Sequence, residues 1–207
     1  MTIKRIIDAV TAWAEDAICR GILLKAPDDD ANAENRGLIE PVAFPIYLPS
    51  SERLPPNVAA PIPSICVLVK NGKDEPGERR RVLNMRLTVA VWNPGRHGSE
   101  MRYPQDDPFA ELGRRYEGPS SPEDRLLYER NMTGWGDVWN LADRAIAAVE
   151  NTEYIAGMRL MKEDGVTYGP FEEDGAVYDF YPYWFLWIDF SLEAGNEPRS
   201  EQYAAFL

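Results

Sequence analysis

The sequence is poor in the residues on which many catalytic and metal sites depend. It contains one histidine, His97, in the turn-like segment Gly95–Gly98. Metal clusters and catalytic pairs that need two histidines are therefore excluded, and a Ser-His-Asp arrangement would have to use His97. The chain also lacks the Gly-x-x-x-x-Gly-Lys-Ser/Thr and Gly-x-Gly-x-x-Gly motifs, so nothing in it supports nucleotide binding.

Basic residues and long apolar runs are also scarce. Lysine and arginine number 22 against 34 aspartates and glutamates, which gives a formal net charge of −12. Simple repulsion therefore disfavours sequence-independent binding to DNA or to anionic lipid. No apolar run approaches the ~20 residues of a membrane-spanning helix, and Lys4, Arg5 and Asp8 interrupt any signal-peptide core. We expect synthesis in the cytoplasm.

The two cysteines do not predict a disulfide framework. Cys19 lies on the apolar stripe of a predicted helix, and Cys66 lies in a strand-like run. Both are most simply interpreted as buried free thiols of a protein from a reducing compartment. The sequence leaves a disulfide between Cys19 and Cys66 open.

Carboxylates offer a further route to catalysis that the composition leaves open. A pair such as Glu172 and Asp174, or Asp179 and Asp189, has the chemistry for acid–base work or for holding a divalent cation. Their spacing selects neither pair, and Asp28–Asp30 lacks the alternating pattern of a calcium-binding loop. The enzymatic alternative is a small acidic hydrolase of glycans, with an aromatic strand as its sugar platform.

Two segments carry the periodicity of amphipathic helices. The first begins after Thr2, a suitable N-cap, continues through the apolar repeats of Ile3–Ile18 and ends near Gly21. The second is predicted within Thr133–Asn151. Its apolar stripe, which we expect to be buried, comprises Trp135, Val138, Trp139, Ala142, Ile146 and Val149.

Three strands are predicted in the first half of the chain. Arg79–Asn93 is the clearest, because every second residue of Leu83–Val91 is apolar and faces one side. Ile62–Lys70 precedes it, and we expect the two to form a hairpin whose long tip contains Asn71–Gly72. Pro41–Leu48 is predicted as an edge strand because a proline interrupts it.

Two further strands are predicted near the end, Ile155–Lys162 and the stronger Phe180–Ala194. One face of the stronger strand carries Phe180, Trp184, Leu186, Ile188, Phe190 and Leu192, and we expect Trp184 in the core. The other face carries Tyr181, Tyr183, Phe185 and Trp187. Aromatic residues on both faces indicate a central strand, or a second surface that is buried on association.

These elements predict a single α+β domain over residues 1–207. A mixed, mostly antiparallel sheet of about four to five strands packs against two main helices. Prolines concentrate in Ala26–Pro63 and Pro94–Pro122, where we expect long loops. Two excursions from the domain are predicted, a loop at 26–40 and an arm at 94–132 that we expect to reach for a partner.

Charge is distributed unevenly along the chain. The segment 79–96 has no acidic residue, whereas Glu163–Glu201 holds ten carboxylates against Arg199. Such asymmetry suits head-to-tail contacts between copies, although a solvated acidic surface would give the same pattern. The candidate interface residues are Arg79, Arg80, Arg81, Arg86, Arg96, Tyr183, Phe185 and Trp187.

Three short patches carry a family resemblance. They are Trp92–Gly95 (Trp-Asn-Pro-Gly), Gly134–Arg144 (Gly-Trp-Gly-Asp-Val-Trp-Asn-Leu-Ala-Asp-Arg) and Tyr181–Trp184 (Tyr-Pro-Tyr-Trp). In these patches, and in its order of elements over Met1–Leu192, the chain resembles the tail-terminator proteins of long-tailed bacteriophages and prophages. The loop at 26–40 departs from the compact members of that family.

The resemblance implies a virion protein of the tail or neck, made in the cytoplasm of the bacterial host. Its expected form is a ring, usually of six copies, that caps the tail tube, ends its polymerisation and meets the head connector. The expected partners are further copies of itself, the tail tube protein and head-connector or neck proteins. DNA would pass through the lumen without sequence-specific contact. No catalytic residue, cofactor or metal is expected, and another neck component is the nearest alternative.

Overall fold

The structure, a computed structural model, describes residues 1–27, 38–75, 77–93, 133–178, 180 and 182–195. The predicted arm at 94–132 lies outside these residues, as does most of the predicted loop at 26–40. The end of that loop is regular, because Leu38–Ile39 (β2) pairs antiparallel with Leu24–Lys25 (β1). The two strands form a small ladder at the base of the loop.

The first helix, α1, spans Ile3–Ala14 and begins where the sequence predicts. The Thr2 hydroxyl accepts a hydrogen bond from the backbone N–H of Arg5, which satisfies one free donor of the helix start. The chain then widens into a π-helical turn, Glu15–Cys19, and reverses at Gly21, whose φ of +76° suits glycine. The buried stripe consists of Ile6, Val10, Ala14, Ile18 and Cys19.

The second helix, α2, spans Gly136–Asn151 and follows a 3₁₀ turn at Thr133–Trp135. The prediction that Trp135 lies in the core is wrong, because it belongs to this turn and is 49% exposed. The buried stripe is centred on Leu141, and Trp139 packs half-buried at its margin. The buried residues of α2 are Val138, Leu141, Ala142, Ala145 and Val149.

A seven-stranded sheet contains the remaining long elements. Its strands are Val42–Pro45 (β3), Ser64–Glu75 (β4), Arg80–Trp92 (β5), Tyr154–Ile155 (β6), Met158–Leu160 (β7), Thr167–Pro170 (β8) and Tyr183–Gly195 (β11). A separate hairpin joins Glu172–Glu173 (β9) to Ala176–Val177 (β10). The order in the sheet is β3-β4-β5-β11-β7-β6, and β8 also pairs with β11 on the side away from β5.

The α+β class with a mostly antiparallel sheet is confirmed. β3 lies at the sheet edge, as predicted, and pairs parallel with β4, while the other ladders are antiparallel. The sheet has more strands than the expected four to five. The additional strands are short, since β6, β7 and β8 have only two to four residues each. The predicted strand Ile155–Lys162 is a tight hairpin that turns at Ala156 and Gly157, both at positive φ.

The β4–β5 hairpin is longer than predicted. β4 continues through Asn71–Gly72 to Glu75, so the expected long tip is a short turn before Arg80. A bulge between Val69 and Asn71 leaves Lys70 as the extra residue, and Asn71 pairs with Asn84 in the ladder. Gly72 is required by packing, because a Cβ there would lie 2.5 Å from a Leu83 methyl carbon. Asn-Gly therefore serves close strand packing here and not a turn.

Both helices pack on the same face of the sheet. Core side chains alternate along β5 from Leu83 to Val91 and along β11 from Leu186 to Ala194, as the sequence predicts. Trp184 is half-buried against this core, and its indole N–H donates to the Asn93 carbonyl at 2.8 Å. The alternate residues of β4, β5 and β11 point to the opposite side, which we call the outer face.

Candidate interaction surface

A compact cluster of charges lies at the centre of the outer face. Strand register places Asp189 of β11 opposite Arg86 of β5. Arg86 donates twice to the Asp189 carboxylate, at 2.7 and 2.8 Å, and Lys70 of β4 donates to it at 2.6 Å. The Arg86 guanidinium also lies 4.9 Å from the ring centre of Trp187. Two cations and one carboxylate are thus held across three strands.

This cluster remains charged over the ordinary pH range. Burial opposes ionisation of Asp189, but the hydrogen bonds from Arg86 and Lys70 outweigh it and hold the pKa of its carboxyl below the usual value. The hydrogen bond from Arg86 to Asp189 in turn raises the pKa of Arg86. A carboxylate held in this state is a poor proton donor.

One end of the outer face is aromatic. Phe185 and Tyr183 pack half-buried over Trp92. The Phe180 ring stands edge-on to Phe185 at 5.5 Å, and Tyr178 follows at 5.5 Å from Phe180. Phe180 is 49% exposed and Tyr178 is 45% exposed, although they adjoin the core of this face. We call Tyr178, Phe180, Tyr183 and Phe185 the aromatic patch.

A small acidic hairpin projects beside this patch. β8 runs from Thr167, opposite Asp189, to Pro170, opposite Leu186, and so points towards the aromatic end. β9 and β10 extend it and turn at Asp174 and Gly175, both at positive φ, as a two-residue Asp-Gly turn requires. The carboxylates of Glu172, Glu173 and Asp174 form its tip, with Glu173 accepting the Tyr178 hydroxyl at 2.8 Å.

The opposite end of the sheet carries most of the predicted arginines. Arg79 is exposed in the β4–β5 turn at φ +50°, and Arg80 contacts both Glu75 and Glu193. Arg81 lies on the core face, 8% exposed, where it pairs with Asp74 and donates to the Met1 carbonyl. An open recess of about 400 Å³ lies here, lined by Glu78, Arg79, Arg80, Arg159, Glu193, Ala194 and Gly195.

The charge asymmetry of the sequence is partly resolved within the described part of one chain. Because β5 pairs with β11, the arginine-rich and acid-rich segments become neighbours, as in Arg86 with Asp189 and Arg80 with Glu193. Arg81 is a structural residue of the monomer and not an exposed interface arginine, which corrects its assignment. Arg96 lies outside the described residues.

Of the predicted aromatic interface residues, Tyr183 and Phe185 fall in the patch described above. Trp187 sits instead in the charged centre, where its indole N–H donates to the Pro170 carbonyl at 2.8 Å. Gly169 allows this contact, since a Cβ there would approach the Trp187 ring to 3.2 Å. The side chain of Trp187 therefore contacts both the neighbouring strand β8 and the guanidinium of Arg86.

The β3 edge of the sheet is closed to further strands. Val42 and Ile46 direct their N–H groups to β4. The N–H of Ala43 points away from β4 and donates to the Glu15 carboxylate at 2.6 Å. Pro45 is the other β3 residue whose backbone nitrogen points away from β4, and proline has no N–H group. This edge therefore offers no free backbone donor to an added strand.

The thiols and carboxylates do not converge on a reactive centre in the described part of the chain. Cys19 and Cys66 are free and buried. Burial, reinforced by Glu15, raises the pKa of Cys19 to about 12, and burial raises the pKa of Cys66 to about 11. Among the described residues no three His, Cys, Asp or Glu side chains are grouped to hold a metal ion. Asp179 lies outside that part.

Comparisons with known proteins do not assign the chain to a group. No protein-family model, no curated protein and no solved structure matches it. None of the described helices has the length and apolarity that crossing a membrane requires.

Sequence reasoning missed several residues of this surface. Lys70 and Glu15 carry no local pattern, because their partners lie on other elements. Asp189 carries a usable signal, because it is the one acidic residue within the aromatic run Tyr183–Phe190, and antiparallel pairing of the two strongest predicted strands offers it an arginine. Asp174–Gly175, a hairpin signature, is a second unused signal.

Proposed function

We propose that the protein is a ring-forming structural component of a long-tailed phage. In this proposal it is a tail terminator that caps the tail tube, ends its polymerisation and joins the tail to the head connector. Copies of the chain, six in number by analogy with the family it resembles, form the ring. The tail tube protein and the neck proteins are its other partners.

The observation that carries the proposal is the aromatic patch on the outer face of β11. On the outer side of this strand, Tyr183 and Phe185 pack within the chain against a small buried cluster of Ile62, Ala90 and Trp92. Phe180 and Tyr178 are nevertheless nearly half exposed, and exposed Val177 adjoins them. A contiguous apolar surface of this kind on an otherwise acidic protein favours burial by association.

The state of the β3 edge supports contact through side chains at that side of the sheet. A ring built by strand addition would need free N–H groups, and Glu15 and Pro45 deny them at β3. Contact through the outer face and the ends of the sheet does not need them. A copy that offers different surfaces at its two ends can close a heterologous ring.

Mass measurement by light scattering is the first test. We expect an assembly near that of six chains of 23.5 kDa, about 140 kDa, and capping of isolated tail tubes. A strict monomer that also fails to cap tubes would refute the proposal.

Electron microscopy of particles that lack the protein separates the terminator from its nearest alternative. Loss of a terminator should give tails of uncontrolled length. Loss of a head-closure or joining protein should give tails of normal length without attached heads, which would reassign the chain to the neck.

A further inference from the structure

The chain contains one Asn-Gly dipeptide, Asn71–Gly72, and both residues are exposed on β4. Glycine has no side chain to hinder the reaction in which its backbone nitrogen attacks the side-chain carbon Cγ of a preceding asparagine. A bond forms between that nitrogen and Cγ, and the Asn71 amide group leaves as ammonia with the proton of the Gly72 N–H. Water then opens the resulting succinimide ring at either carbonyl, which gives aspartate or isoaspartate. On sequence grounds alone, Asn71 is the asparagine of this chain most prone to deamidation.

The ladder between β4 and β5 opposes this reaction. Ring closure requires the Cβ of Asn71 and the nitrogen of Gly72 to lie on the same side of the bond between Cα and the carbonyl carbon of Asn71. Asn71 pairs with Asn84 in the ladder, and the next pair is Gly72 with Leu83. This pairing holds the backbone extended and keeps the two reacting atoms apart.

The side chain of Asn71 is held as well. The Asn84 amide donates to Asn71 Oδ1 at 2.6 Å, and the Ser191 hydroxyl donates to Asn84 Oδ1 at 3.0 Å. This chain of hydrogen bonds crosses three strands of the outer face and fixes the amide that has to react. Gly72 is confined too, since a Cβ there would lie 2.5 Å from a methyl carbon of buried Leu83. Neither residue of the dipeptide has room to turn between the paired strands.

Opening of the end of this hairpin would free both residues. Beyond Gly72 the ladder continues only to the pair of Glu75 with Arg80, where the turn begins. The strongest side-chain link across it is the ion pair of Asp74 with Arg81, which donates twice to that carboxylate. We call residues 71–84 the hairpin tip. Because so few backbone pairs close it, the tip opens at a lower cost than the centre of the sheet.

We propose that Asn71 is a site of spontaneous deamidation that becomes reactive when the hairpin tip opens. Opening of the succinimide to aspartate adds a carboxylate to the outer face next to Lys70. Opening to isoaspartate routes the backbone through Cβ and Cγ of residue 71, which adds a carbon to β4 and prevents the ladder to β5 from closing in its original spacing. A brief opening of the tip is thereby converted into a lasting change of the outer face.

The rate of deamidation should follow the population of the open tip. When opening and closing are fast, the observed rate is the rate in the unfolded chain multiplied by the open fraction. We expect the folded protein to deamidate at least about tenfold more slowly than the urea-unfolded chain in the same mildly alkaline buffer. Peptide mapping by mass spectrometry measures the acid forms at position 71. Low concentrations of urea should raise the folded rate only slightly, because opening of the tip exposes little surface.

Two variants loosen the tip and leave the dipeptide unchanged. Asn84→Ala removes the donor to the Asn71 amide, and Asp74→Asn removes the negative charge that Arg81 contacts. Each should accelerate deamidation of the folded protein at least about threefold. In urea the variants should react as fast as the unaltered chain, because the tip is then open in all of them.

The matched control is Glu78→Gln, an exposed turn residue whose contact with Arg80 is as long as 4.0 Å. It should deamidate at the rate of the unaltered chain, and a control that reacts as fast as the two test variants would count against the role of the tip contacts. Three other results would overturn the inference. They are equal rates in the folded and unfolded chains, an unchanged rate in both test variants, and a urea dependence as steep as that of global unfolding, which would place the protection in the whole sheet.

Discussion

Replacement of Asp189 by asparagine should destabilise the protein in a pH-dependent way. The change removes the negative charge that holds Arg86 and Lys70 together and leaves two cations on the sheet. The Asp189 side chain is 14% exposed, and those of Arg86 and Lys70 are 22% and 37% exposed, so solvent screens the site in part. Because the site is intermediate between an exposed ion pair and a fully buried one, we expect the free energy of unfolding to fall by about 2 kcal/mol.

The sign of the pH dependence follows from the lowered pKa of Asp189. A carboxyl whose folded pKa lies below its unfolded value contributes stability that is complete above the unfolded value, near 3.8. This contribution is lost as the pH falls through the lower folded value. The difference between Asp189→Asn and the unaltered chain should thus be constant at neutral pH and shrink below about pH 4.

Urea denaturation of both proteins between about pH 7 and about pH 2.5 measures this difference. In thermal denaturation at neutral pH, the same loss of about 2 kcal/mol should lower the melting temperature by about 4–8 °C for a chain of this size. A destabilisation that persists unchanged at acid pH would refute the reasoning, because it would come from packing and not from the carboxylate charge. Equal stability of the two proteins at neutral pH would refute it as well.

Three further predictions concern the fold. Leu141→Ala should lower the free energy of unfolding by about 2–5 kcal/mol because Leu141 is fully buried in α2, whereas Trp135→Ala should lower it by under about 1 kcal/mol. Denaturation midpoints compare the two variants, and equal losses would contradict the placement of the buried stripe. Gly72→Ala should cost about 1–3 kcal/mol through contact with Leu83, while Gly77→Ala, with open space, should be near neutral in the same assay. Cys19 and Cys66 should react with a thiol reagent at about pH 8 only as fast as the chain unfolds; rapid labelling of the folded protein would show that they are accessible.

The fold can be predicted from the sequence wherever periodicity is strong and local. The predicted positions of α1, β5 and β11 lie close to the observed ones because their alternation or helical repeat is sustained over ten or more residues. The predicted α2 has the right position, but its buried face is rotated. A stripe counted from Trp135, a large apolar residue in a 3₁₀ turn, leaves out Leu141.

The elements that escape prediction depend on tertiary contacts. Asn71–Gly72 has the local pattern of a turn, but the ladder to β5 continues past it and the glycine admits Leu83. β7 and β8 are too short to show a period, and they exist because β11 offers them an edge. The central charge cluster is likewise hidden in the sequence, since its three members come from three strands.

The charge asymmetry of the chain shows why linear patterns mislead about surfaces until strand pairing is known. Segments of opposite charge that are far apart in sequence are cross-strand neighbours here, so part of their charge is neutralised inside the monomer, as in Arg86 with Asp189 and Arg80 with Glu193. Reversal of Arg81 would therefore break its ion pair with Asp74 and its hydrogen bond to the Met1 carbonyl, and so destabilise the monomer itself.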